Sequence, residues 1–594
     1  MDSLETRARS FGIQPEYEGM GGTVHTAPRQ TLEALVKAFG DTPALDHPHE
    51  LRAPGGVRCH LPADGRRVWG VALQLYQIRS ARNWGIGDFA DLEVLAGLLG
   101  AAGADFIGLN PLHALFLSDP SRRSPFSPSN RRFLNPIYIA VDHVAGFRPD
   151  MVDMAALAAL RDTDLVDYPA VTALKMQALR TIWEGAGRPD VPPDFHAQGR
   201  ADLDRHALFE ALSAAMAAQG HGAGWQAWPA EYHDVAGPAV AGFARDHAAD
   251  IAFHRWLQQE TDRQLAAARA TCDAAGMDIG LYLDFAVGEA ADGSGSWGDP
   301  DVMSSVRIGA PPDYFNEYGQ DWGLAPLSAL RMAESRAAPY RGLMEQATQQ
   351  AGALRIDHAM GLWQLFLIPD GAGPAEGTYV RYPIGDMLTA LAEASNKNRT
   401  LVIGEDLGNV PPGFRDVMEE TGILSYRIFF FERTEDGYIP PPDYPALALA
   451  CLSTHDLPTF QGWWMGDDIA LRASHDLISA EAAEEQAASR TTERRELLGD
   501  LAASGLVTRD KVAPGPAPEE LVVAVHRHMA RTPSLLFAAR LEDLVGETKP
   551  VNVPSTLDEY PNWRLKLGVP LEEMAAFPLF DATTRALRAE RSKA

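Results

Sequence analysis

The chain has 594 residues, of which 46% are hydrophobic and 22% are charged, so it can bury a large core and is too long for one minimal domain. Its 52 Lys and Arg are outnumbered by 80 Asp and Glu, and the net charge of −28 disfavours nucleic acid and anionic membrane surfaces as partners. Such acidity commonly serves solubility, and neutral substrates are compatible with it.

The three cysteines, Cys59, Cys272 and Cys451, are too widely separated to suggest a disulfide framework or a CxxC metal site. The N-terminal segment MDSLETRARSFGIQPEY lacks an apolar stretch of signal-peptide length, and no run of about 18 apolar residues follows. We therefore expect a soluble, cytoplasmic protein that does not interact with a membrane.

Residues 1–67 contain Pro, Gly and one predicted helix around 32–39, and they indicate a lead-in segment. Eight short apolar runs follow, and each is typical of a buried parallel strand. They cover residues 70–78, 106–109, 279–283, 353–356, 400–403, 426–430, 450–453 and 535–539. Helical segments such as 89–102 and 414–420 separate most of them. This alternation predicts an α/β fold, a (β/α)8 TIM barrel over residues 68–570.

The spacing of these runs is uneven, which requires large insertions at about 120–275, 286–350 and 457–530. We predict that the inserted subdomains are mainly helical, because three segments rich in Ala, Leu, Gln, Glu and Arg have helical spacing, namely 203–219, 243–275 and 469–503. Residues 571–594 are predicted to form a C-terminal helix and tail.

Three acidic residues directly follow predicted strands: Asp357 in LRIDHAMG, Glu405 in VIGEDLGNVP and Asp456 in LSTHDLPT. The carboxyl ends of barrel strands are where this fold places catalytic groups, so we expect these side chains to converge. Cleavage of a glycosidic bond with retention needs two carboxyl groups roughly 5 to 5.5 Å apart, and a third can hold the sugar. Each motif alone also fits a simple strand end or turn.

Residues next to these three acids indicate what each acid could do. Arg355 lies two residues before Asp357, on the same face of the strand, where its charge would keep a nucleophile ionised. Glu405 and Asp406 should point to opposite faces, so only one of them is expected to reach the barrel mouth. His455 and Asp456 could ligate a metal, but no spaced ligand set accompanies them, so we expect sugar binding and no metal.

The three motifs together resemble the α-amylase clan, and more specifically the 4-α-glucanotransferases called amylomaltases or disproportionating enzymes, glycoside hydrolase family 77. Further similar segments are LQLYQIRSARNWGIGDFADL from Leu73, SPFSPSNRRFLNPIYI from Ser124, GAPPDYFNEYGQDWG from Gly309 and NVPSTLDEYPNWRLKL from Asn552. The resemblance implies a retaining double displacement with Asp357 as nucleophile, Glu405 as general acid/base and Asp456 as transition-state stabiliser.

The same resemblance implies which side chains bind substrate. Arg355 and His455 would support the catalytic acids, and the remaining implied sugar-binding residues are Gln320, Trp322, Asp292, Asn562, Trp563 and Phe126. Phe126 is a departure, because the family often has Tyr there, so stacking remains without the hydroxyl. The N-terminal region is also shorter than in some bacterial members.

The implied substrates are maltooligosaccharides and linear α-1,4-glucans, with glucose as an acceptor and no cofactor. Transfer to a sugar in preference to water comes from the resemblance alone, although Trp322 and the pair Trp463 and Trp464 could supply stacking surfaces. Two alternatives remain at this stage. One is an α-glucan hydrolase or branching enzyme of the same clan. The other is an NAD-dependent oxidoreductase, suggested by GIGDFA at 85–90, although its first glycine lies well beyond the preceding strand.

Overall fold

The structure is a computed structural model that describes residues 3–19, 22–40, 50–63, 65–312, 318–435, 437–508 and 515–591. Parts of the predicted lead-in, of the motif beginning at Gly309, of the insertion 457–530 and of the C-terminal tail therefore lie outside the described residues.

Eight parallel strands form a closed barrel, which confirms the predicted (β/α)8 architecture. The strands are β1 Val68–Leu73, β2 Phe106–Leu109, β3 Gly280–Phe285, β4 Ala353–Ile356, β5 Leu401–Gly404, β6 Leu424–Ile428, β7 Ala448–Cys451 and β8 Leu536–Arg540. Each pairs with the next along the chain, and β8 closes the barrel against β1. The apolar runs identified these strands because parallel strands covered on both faces are apolar almost throughout.

Side chains alternate between the interior of the barrel and the surrounding helices, as the pleat of a strand requires. The interior is filled by one cluster of buried residues that includes Phe106, Tyr282, Ile403, Tyr426 and Leu449. Residues of opposite parity, such as Leu354 and Val402, pack outward against helices. The barrel is thus a packed core whose functional surface lies at the ends of its strands.

Most connections between strands contain helices, and their lengths are very unequal. The α-helices are Ser3–Ser10, Arg29–Phe39, Phe89–Ala102, Met154–Asp162, Tyr168–Gly185, Arg200–Ala218, Pro238–Asp246, Ala248–Ala274, Ala329–Glu334, Ala338–Ala347, Ile384–Asn398, Phe414–Glu420, Phe460–Met465, Asp467–Ser474, Ala480–Ala503, Glu519–Ala530, Leu541–Leu544, Leu571–Met574 and Pro578–Glu590. The connection from β2 to β3 carries five of these helices.

A five-stranded antiparallel sheet was not predicted from the sequence. Its strands are, in order across the sheet, Thr378–Arg381, Gln364–Pro369, Val306–Ala310, Gln320–Ala325 and Glu289–Ala290. They come from the connections on either side of β4, so the sheet joins segments that precede and follow that strand. Two-stranded ribbons pair Glu16–Glu18 with Val24–Thr26, His113–Ala114 with Asn130–Leu134, and Arg433–Thr434 with Gly437–Tyr438.

The segment GIGDFA does not form a dinucleotide-binding turn. β1 ends at Leu73, a 3-10 turn follows at Leu75–Gln77, and the first glycine, Gly85, is therefore far from the strand. Asp88 instead caps the helix Phe89–Ala102 by accepting the N–H groups of Ala90 and Asp91. The acidic cap occupies the helix N-terminus at which a pyrophosphate would bind.

Candidate active site

Asp357 directly follows β4, and both main-chain and ionic contacts hold it there. Its N–H donates to the carbonyl of Phe285 at 3.0 Å, which joins the ends of β4 and β3. Nη1 of Arg355 lies 2.9 Å from Oδ1 of Asp357. The cation therefore sits beside the carboxylate that the sequence predicts as the nucleophile.

Arg355 also binds Asp284 on β3, a residue that sequence reasoning missed. Its Nη1 donates to both carboxylate oxygens of Asp284, at 2.7 and 2.9 Å. Burial raises the pKa of Asp284 above its usual range, although Arg355 opposes this shift. The signal was present in the sequence, because Asp284 follows an apolar run just as Asp357 does.

Glu405 follows β5 at the position beside Asp357. The register pairs Ile356 with Gly404, the residues immediately before the two acids. Neighbouring strands lie about 4.8 Å apart, so the two acids follow the barrel side by side. Oε2 of Glu405 accepts the N–H of His358 at 2.9 Å, and Oε1 accepts the N–H of Leu407 at 2.8 Å. The carboxyl group is thus fixed by main-chain donors on both sides.

The pKa of Glu405 is raised to about 7. Burial is the largest cause, and the charge of Asp357 adds to it, whereas Arg355 and the two main-chain donors oppose it. Burial thus raises the pKa of Glu405 more than the like charge of Asp357 does. A carboxyl group that titrates near neutral pH can both donate and accept a proton.

Asp406 points away from Glu405, as strand alternation requires, and it is fully buried. Its Oδ2 accepts from Nε of Arg415 and from the hydroxyl of Ser425, each at 2.7 Å. Its Oδ1 accepts the N–H of Tyr426 at 2.8 Å. Asp406 therefore joins β5 to β6 and is not available to a substrate.

Asp456 and His455 lie in the segment after β7. Oδ2 of Asp456 is 3.2 Å from Nε2 of His455, and Oδ1 accepts from the side-chain amide of Asn552 at 2.7 Å. The surrounding protein raises the pKa of Asp456 by limiting solvation, but His455, Asn552 and Arg355 outweigh this and lower it to about 2. Its side chain remains 48% exposed, so the ionised carboxylate is accessible from solvent.

An aromatic wall stands beside these acids. The Phe126 ring stacks on the His455 imidazole at 4.5 Å between centroids, and Trp563 lies 5.7 Å from each of them. The guanidinium carbon of Arg355 is 6.0 Å from the centroid of Phe126. The structure thus brings together three residues that the resemblance assigned from remote parts of the chain.

Trp322 and Gln320 lie on the strand Gln320–Ala325 of the five-stranded sheet. The indole N–H of Trp322 donates to Oε1 of Gln320 at 3.1 Å. The Trp322 ring also packs edge-on against His358 with centroids 5.2 Å apart. Because His358 follows Asp357 directly, these two residues border the site from the side of the sheet.

Asn562 and Asp292 have protein partners for their side chains. Asn562 is buried, its amide donates to the carbonyls of Thr556 and Leu557, and its oxygen accepts the N–H of Val553. It therefore shapes the loop that precedes Trp563. Asp292 forms a bidentate pair with Arg122 at 2.8 and 2.9 Å, and none of its contacts in the structure is to the three catalytic candidates.

The prediction that Trp463 and Trp464 form a stacking surface for sugar is wrong. These residues lie in the helix Phe460–Met465, and only 3% and 4% of their surface is exposed. Both belong to the main apolar core, where Trp463 stacks on Phe430 at 4.9 Å. Apolar burial explains these rings, so they cannot present a face to a sugar.

Within the described ranges, no three His, Cys, Asp or Glu side chains are grouped so that they could hold a metal ion. The same residues include no helix that combines the length and apolar character needed to span a bilayer.

The fold and this arrangement together define a class of protein: a (β/α)8-barrel enzyme with paired carboxyl groups at adjacent strand ends, suited to glycosidic bond chemistry. A family model described as 4-alpha-glucanotransferase matches residues 73–570. The chain therefore belongs to the 4-alpha-glucanotransferases of glycoside hydrolase family 77, as the sequence motifs indicated.

Individual relatives agree with this assignment. The 4-alpha-glucanotransferase of Mycobacterium tuberculosis H37Rv is 38% identical over 535 residues, covering 85% of this chain and 72% of that protein. The Haemophilus influenzae 4-alpha-glucanotransferase is 34% identical over 542 residues, covering 86% and 76%. Amylomaltase from Corynebacterium glutamicum superposes with a TM-score of 0.81 at 26% identity, covering 98% and 99% of the two chains. The hydrolase, branching-enzyme and oxidoreductase alternatives are not favoured.

Proposed function

We propose that this 4-α-glucanotransferase works by a retaining double displacement in which Asp357 is the nucleophile, Glu405 the general acid/base and Asp456 the stabiliser of the oxocarbenium-like transition state. The observation that carries the proposal is the pairing of Asp357, held beside Arg355, with Glu405, whose pKa is about 7. One group is placed to attack as a carboxylate while its neighbour still holds a proton.

In the first step, the Asp357 carboxylate forms a bond to the anomeric carbon while the glycosidic C–O bond breaks. Glu405 gives its proton to the departing oxygen, and the shortened glucan leaves. In the second step, the 4-hydroxyl of an acceptor attacks the same carbon, Glu405 takes the hydroxyl proton, and the bond to Asp357 breaks. Each carboxyl group returns to its starting state, and the configuration is retained.

We propose maltooligosaccharides and linear α-1,4-glucans as donors and glucose as an acceptor. Phe126 and Trp322 are half-buried aromatic residues beside the acids, and such rings stack on the apolar faces of glucose. Gln320, His455 and Trp563 would orient these rings and the sugar hydroxyls. Asn562 and Asp292 would act through the loops that they hold, since their side chains already have partners.

A cytoplasmic location completes the proposal. Cys59, Cys272 and Cys451 are all free and buried, and unpaired thiols are typical of proteins in a reducing compartment.

Incubation with maltotriose tests the reaction. We expect free glucose together with a ladder of longer maltooligosaccharides, with the number of reducing ends unchanged because each transfer makes one glycosidic bond for every bond broken. A rise in reducing ends without longer chains indicates a hydrolase, and new α-1,6 linkages indicate a branching enzyme; either result contradicts the proposal.

Replacement of the nucleophile tests the assignment of residues. Asp357→Ala is expected to abolish the ladder while binding of maltooligosaccharides is still measurable by calorimetry. Asp416→Asn, which changes an exposed carboxyl group on the helix Phe414–Glu420, is the matched control and should keep full activity. An unchanged rate in Asp357→Ala contradicts the assignment of the nucleophile.

A further inference from the structure

The segment 453–458, here called the strand-7 loop, carries His455 and Asp456 from the end of β7 toward the helix Phe460–Met465. A side chain from the neighbouring strand holds this loop. Arg540 is the last residue of β8 and is 5% exposed, and β8 pairs with β7 along the barrel.

One nitrogen of Arg540 reaches most of the strand-7 loop. Its Nη1 carries two hydrogens and donates most closely to the carbonyl of Thr454 at 2.6 Å and the hydroxyl of Ser453 at 3.0 Å. The carbonyls of Leu457 and Pro458 lie 3.2 and 3.5 Å from the same nitrogen. The Ser453 hydroxyl in turn donates to the Pro458 carbonyl at 2.6 Å. The two ends of the loop are thus tied to one point on either side of the catalytic candidate.

Buried counter-charges keep the guanidinium in place. Glu542 is 2% exposed, and its Oε1 lies 3.3 Å from Nη2 of Arg540. The next residue, Asp543, accepts the N–H of Phe460 at 2.7 Å, just beyond the loop. Arg540 therefore holds the loop at its start and at its end, and Asp543 holds the helix that follows.

The same arginine borders the catalytic site. Arg540 and Glu542 line one cavity together with Arg355, Asp284 and His455. A change at Arg540 therefore opens space that is continuous with the site, and the loop that moves is the one bearing His455 and Asp456. Misplacement of a catalytic group by about 1 Å can lower a rate about 10²-fold.

We propose that Arg540 is a positioning residue for the transfer reaction: it fixes the strand-7 loop so that Asp456 and His455 meet the sugar ring in the reactive geometry. This inference rests on the role proposed above for Asp456. Arg540 acts through main-chain carbonyls, and its effect is expected on the chemical step and not on the affinity for glucan.

The test compares kcat and KM for glucose release from maltotriose in the full-length enzyme and in R540A and R540K. We expect R540A to lower kcat on the order of 10²-fold with little change in KM. R540K should recover part of the loss, because an ammonium group can satisfy some of the carbonyls but lacks the planar fork of arginine. Millimolar guanidinium should raise the kcat of R540A in a saturable way by occupying the space that the side chain leaves.

Arg591 provides a matched control at the opposite end of the barrel. It is 3% exposed, and it donates to the carbonyls of Val68, Ala530, Thr532 and Ser534. R591A therefore removes a buried arginine with the same kind of contacts but far from the strand-7 loop. We expect it to lower the Tm while leaving the kcat per folded molecule, measured from near-UV circular dichroism, unchanged and insensitive to guanidinium.

The outcomes separate the two proposals. The inference is overturned if R540A keeps the kcat of the wild type, or if its loss equals that of R591A and neither Lys nor guanidinium restores activity. If R540A does not fold, kcat and KM are compared between R540K and the wild type, and an unchanged kcat in R540K overturns the inference. Asp456→Asn, measured alongside, loses activity if the proposed role of Asp456 is right; if Asp456→Asn stays active, that role fails and the inference fails with it.

Discussion

At the scale of single residues, opposed influences act on the two carboxyl groups that follow β4 and β5. Arg355 contacts Asp357 directly, whereas Glu405 receives its contacts from uncharged main-chain donors and lies in a buried setting. The two neighbouring acids therefore differ in environment, and the pKa of Glu405 rises to about 7. Divergent environments are how one pair of carboxyl groups supplies both a nucleophile and an acid.

This difference predicts a specific pH dependence. The first step needs protonated Glu405, so kcat/KM should be maintained below about pH 7 and fall as the pH rises through the pKa of Glu405. In Glu405→Gln, activity on maltotriose should be lost, because the departing sugar receives no proton. A donor with a good leaving group, α-maltosyl fluoride, should still release fluoride from this variant, and the alkaline decline should be absent.

The assignment of Glu405 as the acid is contradicted if the rate of fluoride release by Glu405→Gln still falls at alkaline pH in the way that the wild-type rate does. Glu419→Gln, on the exposed surface of the helix Phe414–Glu420, is the control and should retain the wild-type profile.

At the scale of elements, the helices Arg200–Ala218 and Ala248–Ala274 pack through a contact that contains polar groups. His206 and Glu210 from the first helix and His254 and Gln258 from the second line a small cavity. Burial raises the pKa of Glu210 to about 8, and its Oε1 has no hydrogen-bond partner among the described residues. Burial lowers the pKa of both histidines to about 3, so the cluster is neutral at neutral pH.

Glu210 should therefore make stability depend on pH. The folded protein holds a proton on Glu210 that the unfolded chain releases above its ordinary pKa of 4.5, so Glu210 lowers the free energy of unfolding as the pH rises from 4.5 to about 8. Glu210→Gln removes this pH-dependent contribution to the free energy of unfolding. We expect the variant to gain stability relative to the wild type across that range, by at most about 1.4 kcal/mol per pH unit.

Denaturant unfolding at several pH values measures this difference, and subtracting the two curves cancels the contribution of the histidines. Glu231→Gln, an exposed site, should show a constant difference. If the difference in free energy of unfolding between Glu210→Gln and the wild type is also independent of pH, the Glu210 carboxyl group titrates normally in the folded protein, which contradicts the prediction.

At the scale of the whole molecule, the barrel carries its site on connections of very different length, and the five-stranded sheet borders that site through Trp322. The boundaries of the lead-in, of the insertions and of the C-terminal segment stay predictions, as does the cytoplasmic location. The three thiols belong to distinct parts of the fold. Cys451 lies on β7, Cys272 lies on the helix Ala248–Ala274, and Cys59 lies in the segment that precedes β1.

The thiols provide a test of how the whole chain is folded. Cys59, Cys272 and Cys451 are each less than 5% exposed, and burial raises the pKa of each to about 12. Because the thiolate is the reactive form, we expect negligible reaction with Ellman's reagent in the native protein and three equivalents in guanidinium chloride. Rapid reaction of one thiol in the native protein contradicts this packing, and a total below three indicates a disulfide.

The sequence by itself determined the barrel and the family. A strand covered on both faces is apolar along most of its length, so eight local runs were enough to locate β1 to β8. The acids after β4, β5 and β7 could be predicted because they are adjacent in sequence to those runs, and strand alternation separated Glu405 from Asp406.

Only the tertiary structure decided what each polar or aromatic side chain contacts. Asp284 joins Arg355, Asp292 pairs with Arg122, and Arg540 holds the strand-7 loop, all through partners remote in sequence. Trp463 and Trp464 follow Asp456 closely in sequence, yet both lie on a helix and are buried in the apolar core. Apolar periodicity records whether a residue is buried but not which distant group it meets, because that depends on how the complete chain closes around the barrel.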